Sequence, residues 1–99
     1  MDISKVIKED GITFKLFGNL DSTIAPAFEA ELISGLDSLK DVTVDFKGVK
    51  YISSAGMRVL LIGDKTAKAK GGKLVITNVS SFVMEIFEVT GFSNILNFG

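Results

Sequence analysis

The segment Val42-Thr43-Val44-Asp45-Phe46 constrains the fold more than any other stretch of this chain. It is short, mostly apolar and β-branched, which suits a central strand covered on both sides. After it, Met57, Leu60 and Leu61 recur at helical spacing down to Ala67 or Ala69, and Gly71-Gly72 stops that helix. Lys73-Leu74-Val75-Ile76-Thr77 then reads as another short strand. A strand, a helix and a strand joined by connections of a few residues form a βαβ unit, which demands a largely parallel sheet with helices packed on it.

The flanking stretches extend that plan. Ile3, Val6 and Ile7 precede the turn-like Glu9-Asp10-Gly11, after which Ile12, Phe14 and Leu16 alternate with Thr13 and Lys15, as in a hairpin ending in a half-buried strand. Gly18-Asn19-Leu20-Asp21 ends that strand. Ser22 or Thr23 is placed to cap a helix with Pro26 in its first turn and Ile24, Phe28, Leu32 and Leu36 on one face. Lys47-Gly48-Val49-Lys50 carries the chain off the central strand. Near the C-terminus, Ser80 or Ser81 opens a helix with Val83, Ile86 and Phe87 on one face, Gly91 closes it, and Phe92 to Phe98 adds an edge strand. With 99 residues and 46% hydrophobic content there is room for one core, so residues 1–99 are expected to form a single α/β domain.

Charge and residue usage remove several function classes. Lys and Arg total 11 against 12 Asp and Glu, with the signs interspersed, so no basic face is available to nucleic acid. The chain has no cysteine and no histidine, which excludes disulfides and thiolate chemistry and leaves only carboxylates as strong metal ligands. No metal and no cofactor is expected. The N-terminus lacks the pattern of a signal peptide, and the longest apolar run, Val59 to Ile62, is too short for a membrane span. A cytoplasmic protein without a membrane partner is the expectation.

Three constellations invite a catalytic reading. Ser54 sits at a strand-to-helix turn, where a nucleophilic serine would be at home, but Ile52-Ser53-Ser54-Ala55-Gly56 is not G-x-S-x-G and the histidine that usually activates such a serine is absent. Asp21 and Asp45 lie at strand ends and could pair as acid and base; the simpler reading is that Asp21 ends a strand and caps a helix while Asp45 hydrogen-bonds a loop. Gly71-Gly72-Lys73 lacks the glycine and hydroxyl spacing of a phosphate loop and ends a helix where such a loop must begin one. Lys65, Lys68, Lys70 and Lys73 read as a solvated helix face near the negative end of its dipole. The chain is therefore not expected to be an enzyme; a small hydrolase or nucleotide-binding protein using Asp21 and Ser54 is the enzymatic alternative.

The serine pair also permits a regulatory reading. Hydroxyls at a helix start can cap free N–H groups, and a phosphoryl group there is tolerated because the helix start favours negative charge. Val42 to Phe46, Val49 and Tyr51-Ile52-Ser53-Ser54-Ala55-Gly56-Met57-Arg58-Val59-Leu60 together resemble the central signature of STAS domains of the anti-sigma factor antagonist family. Gly18-Asn19-Leu20-Asp21, Gly71-Gly72-Lys73-Leu74 and Glu85 to Phe92 are similar to further segments of that family in order and spacing.

The resemblance implies a four- to five-stranded mixed sheet flanked by helices, and a partner-switching cycle. An ATP-binding anti-sigma serine kinase binds the unphosphorylated module and phosphorylates one serine, the phosphorylated form is released, and a PP2C-type phosphatase restores it. By motif the phosphoacceptor is Ser54, with Ser53 the runner-up because Ser53 replaces the acidic residue of the family's Asp-Ser-Ser-Gly form. Asp21, Ser53, Ser54, Ala55, Gly56 and Arg58 are the implied partner surface, and Met57 reads as core. A switch of this kind is expected to be mostly monomeric; the alternative is a scaffold that assembles independently of Ser54.

Overall fold

The computed structural model describes residues 2–99. Strands β1 (Asp2–Ile7) and β2 (Ile12–Leu20) form the expected hairpin, paired antiparallel from Asp2 beside Phe17 to Ile7 beside Ile12. Lys8 N–H donates to the Gly11 carbonyl at 2.7 Å to close it. Helix α1 (Ala25–Ser38), strand β3 (Asp41–Ile52), helix α2 (Ser54–Ala69), strand β4 (Lys73–Thr77), helix α3 (Ser81–Val89), a 3-10 turn (Phe92–Asn94) and strand β5 (Asn97–Phe98) follow. The strands lie in the order β1-β2-β3-β4-β5, antiparallel between β1 and β2 and parallel elsewhere. This is the α/β architecture expected, a five-stranded mixed sheet flanked by helices.

All three helices meet the sheet through one set of alternating side chains. The register sets Ile12 beside Val42 and Val42 beside Leu74, then Phe14 beside Val44 and Val44 beside Ile76, and these six are at most 2% exposed. Phe28 of α1 meets Phe14 edge to face at 5.8 Å, Gly63 of α2 abuts Leu32 and Leu74, and Phe87 of α3 packs on Phe46 and Phe98. Burying each such side chain contributes about 1.5–3 kcal/mol. The intervening Thr13, Lys15, Thr43, Asp45, Val75 and Thr77 point the other way, and none is buried. β3 is thus central in the sheet but covered on one face only, contrary to the sequence expectation. Its polar alternate positions, Thr43 and Asp45, are the reason.

β3 also runs further than expected. Lys47-Gly48-Val49-Lys50 does not leave the strand but continues it to Ile52, paired with Phe17–Leu20 of β2 across register shifts on either side of Phe17 and Gly18. The Phe17 ring fills the space over Gly48, so this glycine serves packing within the strand it was expected to lead the chain away from. β4 pairs with β3 only over Asp41 to Asp45, and the rest of β3 projects beyond it. Helix α1 departs as well: neither Ser22 nor Thr23 caps it. Ile24 occupies the cap position, and the Asp21 carbonyl accepts the Ile24 and Ala25 N–H groups at 3.2 and 2.9 Å. Of the predicted edge strand, Phe92–Asn94 is a 3-10 turn and only Asn97–Phe98 pairs with β4, because the Phe92 carbonyl takes the Ile95 and Leu96 N–H groups.

Helix α2 ends as the paired glycines predict. Gly71 adopts φ 79°, and the Gly71 and Gly72 N–H groups donate to the Lys68 and Ala67 carbonyls at 3.0 and 2.8 Å. The lysines near this end are less idle than expected. Lys68 pairs with Asp64 at 3.0 Å, and Lys70 Nζ donates to the Leu36 carbonyl at the end of α1. Asp64 is 1% exposed, a buried carboxylate that sequence reading missed; its only signal is its place seven residues after Met57, on the apolar face.

A candidate partner-docking site at the start of helix α2

Paired residues Leu20 and Ile52 bring the ends of β2 and β3 together, so Asp21 and Ser53 leave the sheet side by side. Ser53 N–H donates to the Leu20 carbonyl at 2.9 Å. Its backbone is extended (φ −95°, ψ 173°), and its Oγ accepts the Gly56 N–H at 3.3 Å. Ser53, not Ser54, therefore caps α2. A Cβ at Gly56 would stand 2.6 Å from the Leu20 carbonyl oxygen and 2.8 Å from Leu20 Cγ, so the first turn of α2 presses against the sheet where only glycine fits.

That packing sorts the predicted residues by exposure. Ser54 is the first residue of α2 and is exposed; Ser53, Ala55 and Asp21 are half-buried; Gly56 is buried and acts through packing; Arg58 is exposed. Met57 is core, 6% exposed, as expected, with its Sδ 3.6 Å from the Thr90 hydroxyl. That contact ties the first turn of α2 to the end of α3. Ala55, Arg58 and Val59 face Ser22, Ala25, Pro26 and Glu29 of the α1 region across a shallow groove. The Asp21 carboxylate accepts the Thr23 N–H at 3.0 Å and so shapes the turn beside Ser53.

Asp45 is not part of this cluster. It lies within β3, about 20 Å along the strand from Ile52, so the two carboxylates form no acid and base pair. Its Oδ1 accepts the Asn78 side-chain amide at 3.0 Å and the Lys47 N–H at 2.9 Å, the loop-bonding role expected of it. The Asn78 hydrogen bond chiefly holds its carboxyl below the usual 3.8; partial burial opposes this, and the Lys47 N–H, Lys15 and Lys47 charges assist. Among the described residues no three His, Cys, Asp or Glu side chains are placed to hold a metal ion. Nor, among the same residues, is any helix long and apolar enough to cross a membrane.

Fold and site together define a small α/β module with helices on one face of its sheet and a serine-bearing turn at one end of it. The chain belongs to the STAS domain family: the family model described as Mlab, STAS domain matches residues 3–97. Among curated relatives it is 38% identical over 90 residues to BtrV of Bordetella bronchiseptica, assigned as an anti-sigma factor antagonist, covering 89% of this chain and 78% of that protein. It is 28% identical over 99 residues to the anti-sigma-B factor antagonist of Bacillus subtilis, covering 98% of this chain and 91% of that protein. Among solved structures it superimposes on the phosphorylated form of the Bacillus cell fate determinant SpoIIAA with a TM-score of 0.77 at 16% identity, over 99% of this chain and 91% of that one. The family read from the motifs is the family the comparisons return.

Proposed function

We propose that this protein is a non-enzymatic anti-sigma factor antagonist whose docking to an ATP-binding anti-sigma serine kinase is switched by phosphorylation of Ser54. The observation that carries this reading is the division of labour between the two serines: the Ser53 hydroxyl is committed to the cap, whereas Ser54 stands exposed one residue into the helix. Modifying Ser54 therefore costs no cap, and modifying Ser53 would cost one, which ranks Ser54 above Ser53 as phosphoacceptor. The kinase moves the γ-phosphoryl group of ATP to Ser54 Oγ, leaving ADP and releasing the hydroxyl proton. The phosphoserine then carries about −1.5 to −2 charge at neutral pH, enough to repel a docked surface through charge and desolvation. A PP2C-type phosphatase returns the docking form. Names borne by the relatives, anti-sigma factor antagonist for BtrV and anti-sigma-B factor antagonist in Bacillus subtilis, support the output.

A pull-down from host lysate with wild type, Ser54→Ala and Ser54→Asp as baits tests the reading, together with mass spectrometry of the protein after incubation with the captured kinase and ATP. An ATP-binding serine kinase retained by wild type and Ser54→Ala but not by Ser54→Asp, with phosphate on Ser54, is the expected result. Equal retention by all three baits overturns the switch in favour of a scaffold, and phosphate on Ser53 overturns the choice of serine.

A further inference from the structure

Arg58 follows Ser54 by four residues on α2, and both are exposed. Residues at this spacing share a helix face one turn apart, and helical side chains lean toward the N-terminus, so the turn that carries the serine is within reach of the arginine. Among the described residues, no hydrogen bond or ion pair engages its guanidinium. Among the described residues the ion pairs are Lys5 with Glu31 and Lys68 with Asp64, neither of which involves Arg58; Glu29 lines the same groove without pairing with it.

We infer that Arg58 is the internal receptor of the Ser54 phosphoryl group, folding back along α2 to bind it. The inference rests on the reading of Ser54 as the modified residue and specifies how that modification changes the surface. A guanidinium fork matches phosphate oxygens in a way a point charge does not. Before modification Arg58 offers a free positive charge at the docking surface, suited to a carboxylate of the partner. After modification it is occupied by the phosphate of its own chain. One phosphoryl transfer thus adds negative charge and withdraws the neighbouring cation, so the partner loses an attraction as it meets a repulsion.

The test uses full-length protein with phosphoserine installed at position 54 by codon reassignment, so that no kinase is needed, and follows the phosphate by 31P NMR from pH 4.5 to 8. A nearby cation favours the dianion, so the second ionisation is expected roughly half a pH unit lower with Arg58 than in Arg58→Gln, with Arg58→Lys between them. The difference should shrink in about 1 M salt, and the Arg58 Nε–H resonance should move with the phosphate's midpoint. Superimposable titrations for Arg58 and Arg58→Gln, both folded by circular dichroism, overturn the inference while leaving the switch intact. Failure of the pull-down with the titration difference present strikes the switch and leaves the Arg58 contact standing.

Discussion

Helices α2 and α3 begin with the same pair of residues in the same geometry. Ser53 and Ser80 are both extended caps, accepting the N–H of Gly56 at 3.3 Å and of Val83 at 3.2 Å, and Ser54 and Ser81 are both exposed first residues. The two sites part company immediately afterwards. At the third helical position α2 has Gly56, jammed against Leu20, whereas α3 has Val83, whose side chain is fully buried. Four residues beyond the exposed serine, α2 has Arg58 and α3 has Glu85. A serine pair at a helix start is thus a cap in either place. What singles out Ser54 is the tight seat beneath it and the cation one turn along.

The largest expected effect comes from that seat. Gly56→Ala drives a methyl group against the Leu20 carbonyl, Leu20 Cγ and Ile52 Cγ1, at 2.6, 2.8 and 3.0 Å. Overpacking against backbone is expected to cost about 2–3 kcal/mol, lowering Tm by roughly 10–20 °C in a domain of this size. Thermal denaturation checks it. A change of less than about 3 °C would mean that the two helix starts are seated equally loosely.

Capping comes next, and it separates the serines within each pair. Ser53→Ala and Ser80→Ala are each expected to cost about 1 kcal/mol in denaturant unfolding, while Ser54→Ala and Ser81→Ala stay within about 0.5 kcal/mol. Equal losses at Ser53 and Ser54 would show the α2 cap to be shared and would remove the ground for ranking Ser54 above Ser53.

This distinction was beyond the reach of sequence. Two adjacent hydroxyls before a helical pattern are interchangeable on paper, and only the extended backbone of Ser53, fixed by its N–H bond to Leu20, decides between them. The hairpin, the parallel crossovers through α1 and α2 and the glycine stop of α2 were legible because each depends on local periodicity or on φ. The continuation of β3 through Gly48 was not, because it depends on the Phe17 ring of a neighbouring strand. The uncapped start of α1 escaped for a similar reason: the Asp21 main-chain carbonyl does the work that Ser22 or Thr23 was expected to do. Asp64 drew no reading from sequence, and it is buried because of where α2 packs.

Charge sharpens the comparison further. Ser54→Asp places a carboxylate at a helix start with Arg58 at i+4, and Ser81→Asp does the same with Glu85 at i+4. Both gain from the helix dipole, but the side-chain neighbour helps the first and opposes the second. Ser54→Asp is expected to be more stable than Ser81→Asp by about 0.5 kcal/mol at low salt, with the gap closing as salt is added. In the kinase pull-down only Ser54→Asp should lose the partner. Loss of the partner by both variants would mean that the docking surface reaches the start of α3.

The two helix starts also differ in their response to acid. The loop before α3 is tied to β3 by the Asn78 amide donating to the Asp45 carboxylate, whereas the loop before α2 is tied by the main-chain bond of Ser53 to Leu20. The folded Asp45 carboxyl ionises below its ordinary 3.8, so folding favours its charged form. The stability this gives is fully present above that value and is lost as pH falls through the lower folded one. Asp45 is only half-buried, so the effect on global stability is expected to be the smallest of the series. Its signature is local. Below about pH 4 hydrogen exchange should accelerate at Asn78 to Val83 while the amides of Ser53 and Gly56 keep their protection, and Asp45→Asn should erase that pH dependence. Acceleration at both helix starts together would mean that acid acts on the core they share, and not on the carboxylate that belongs to one of them.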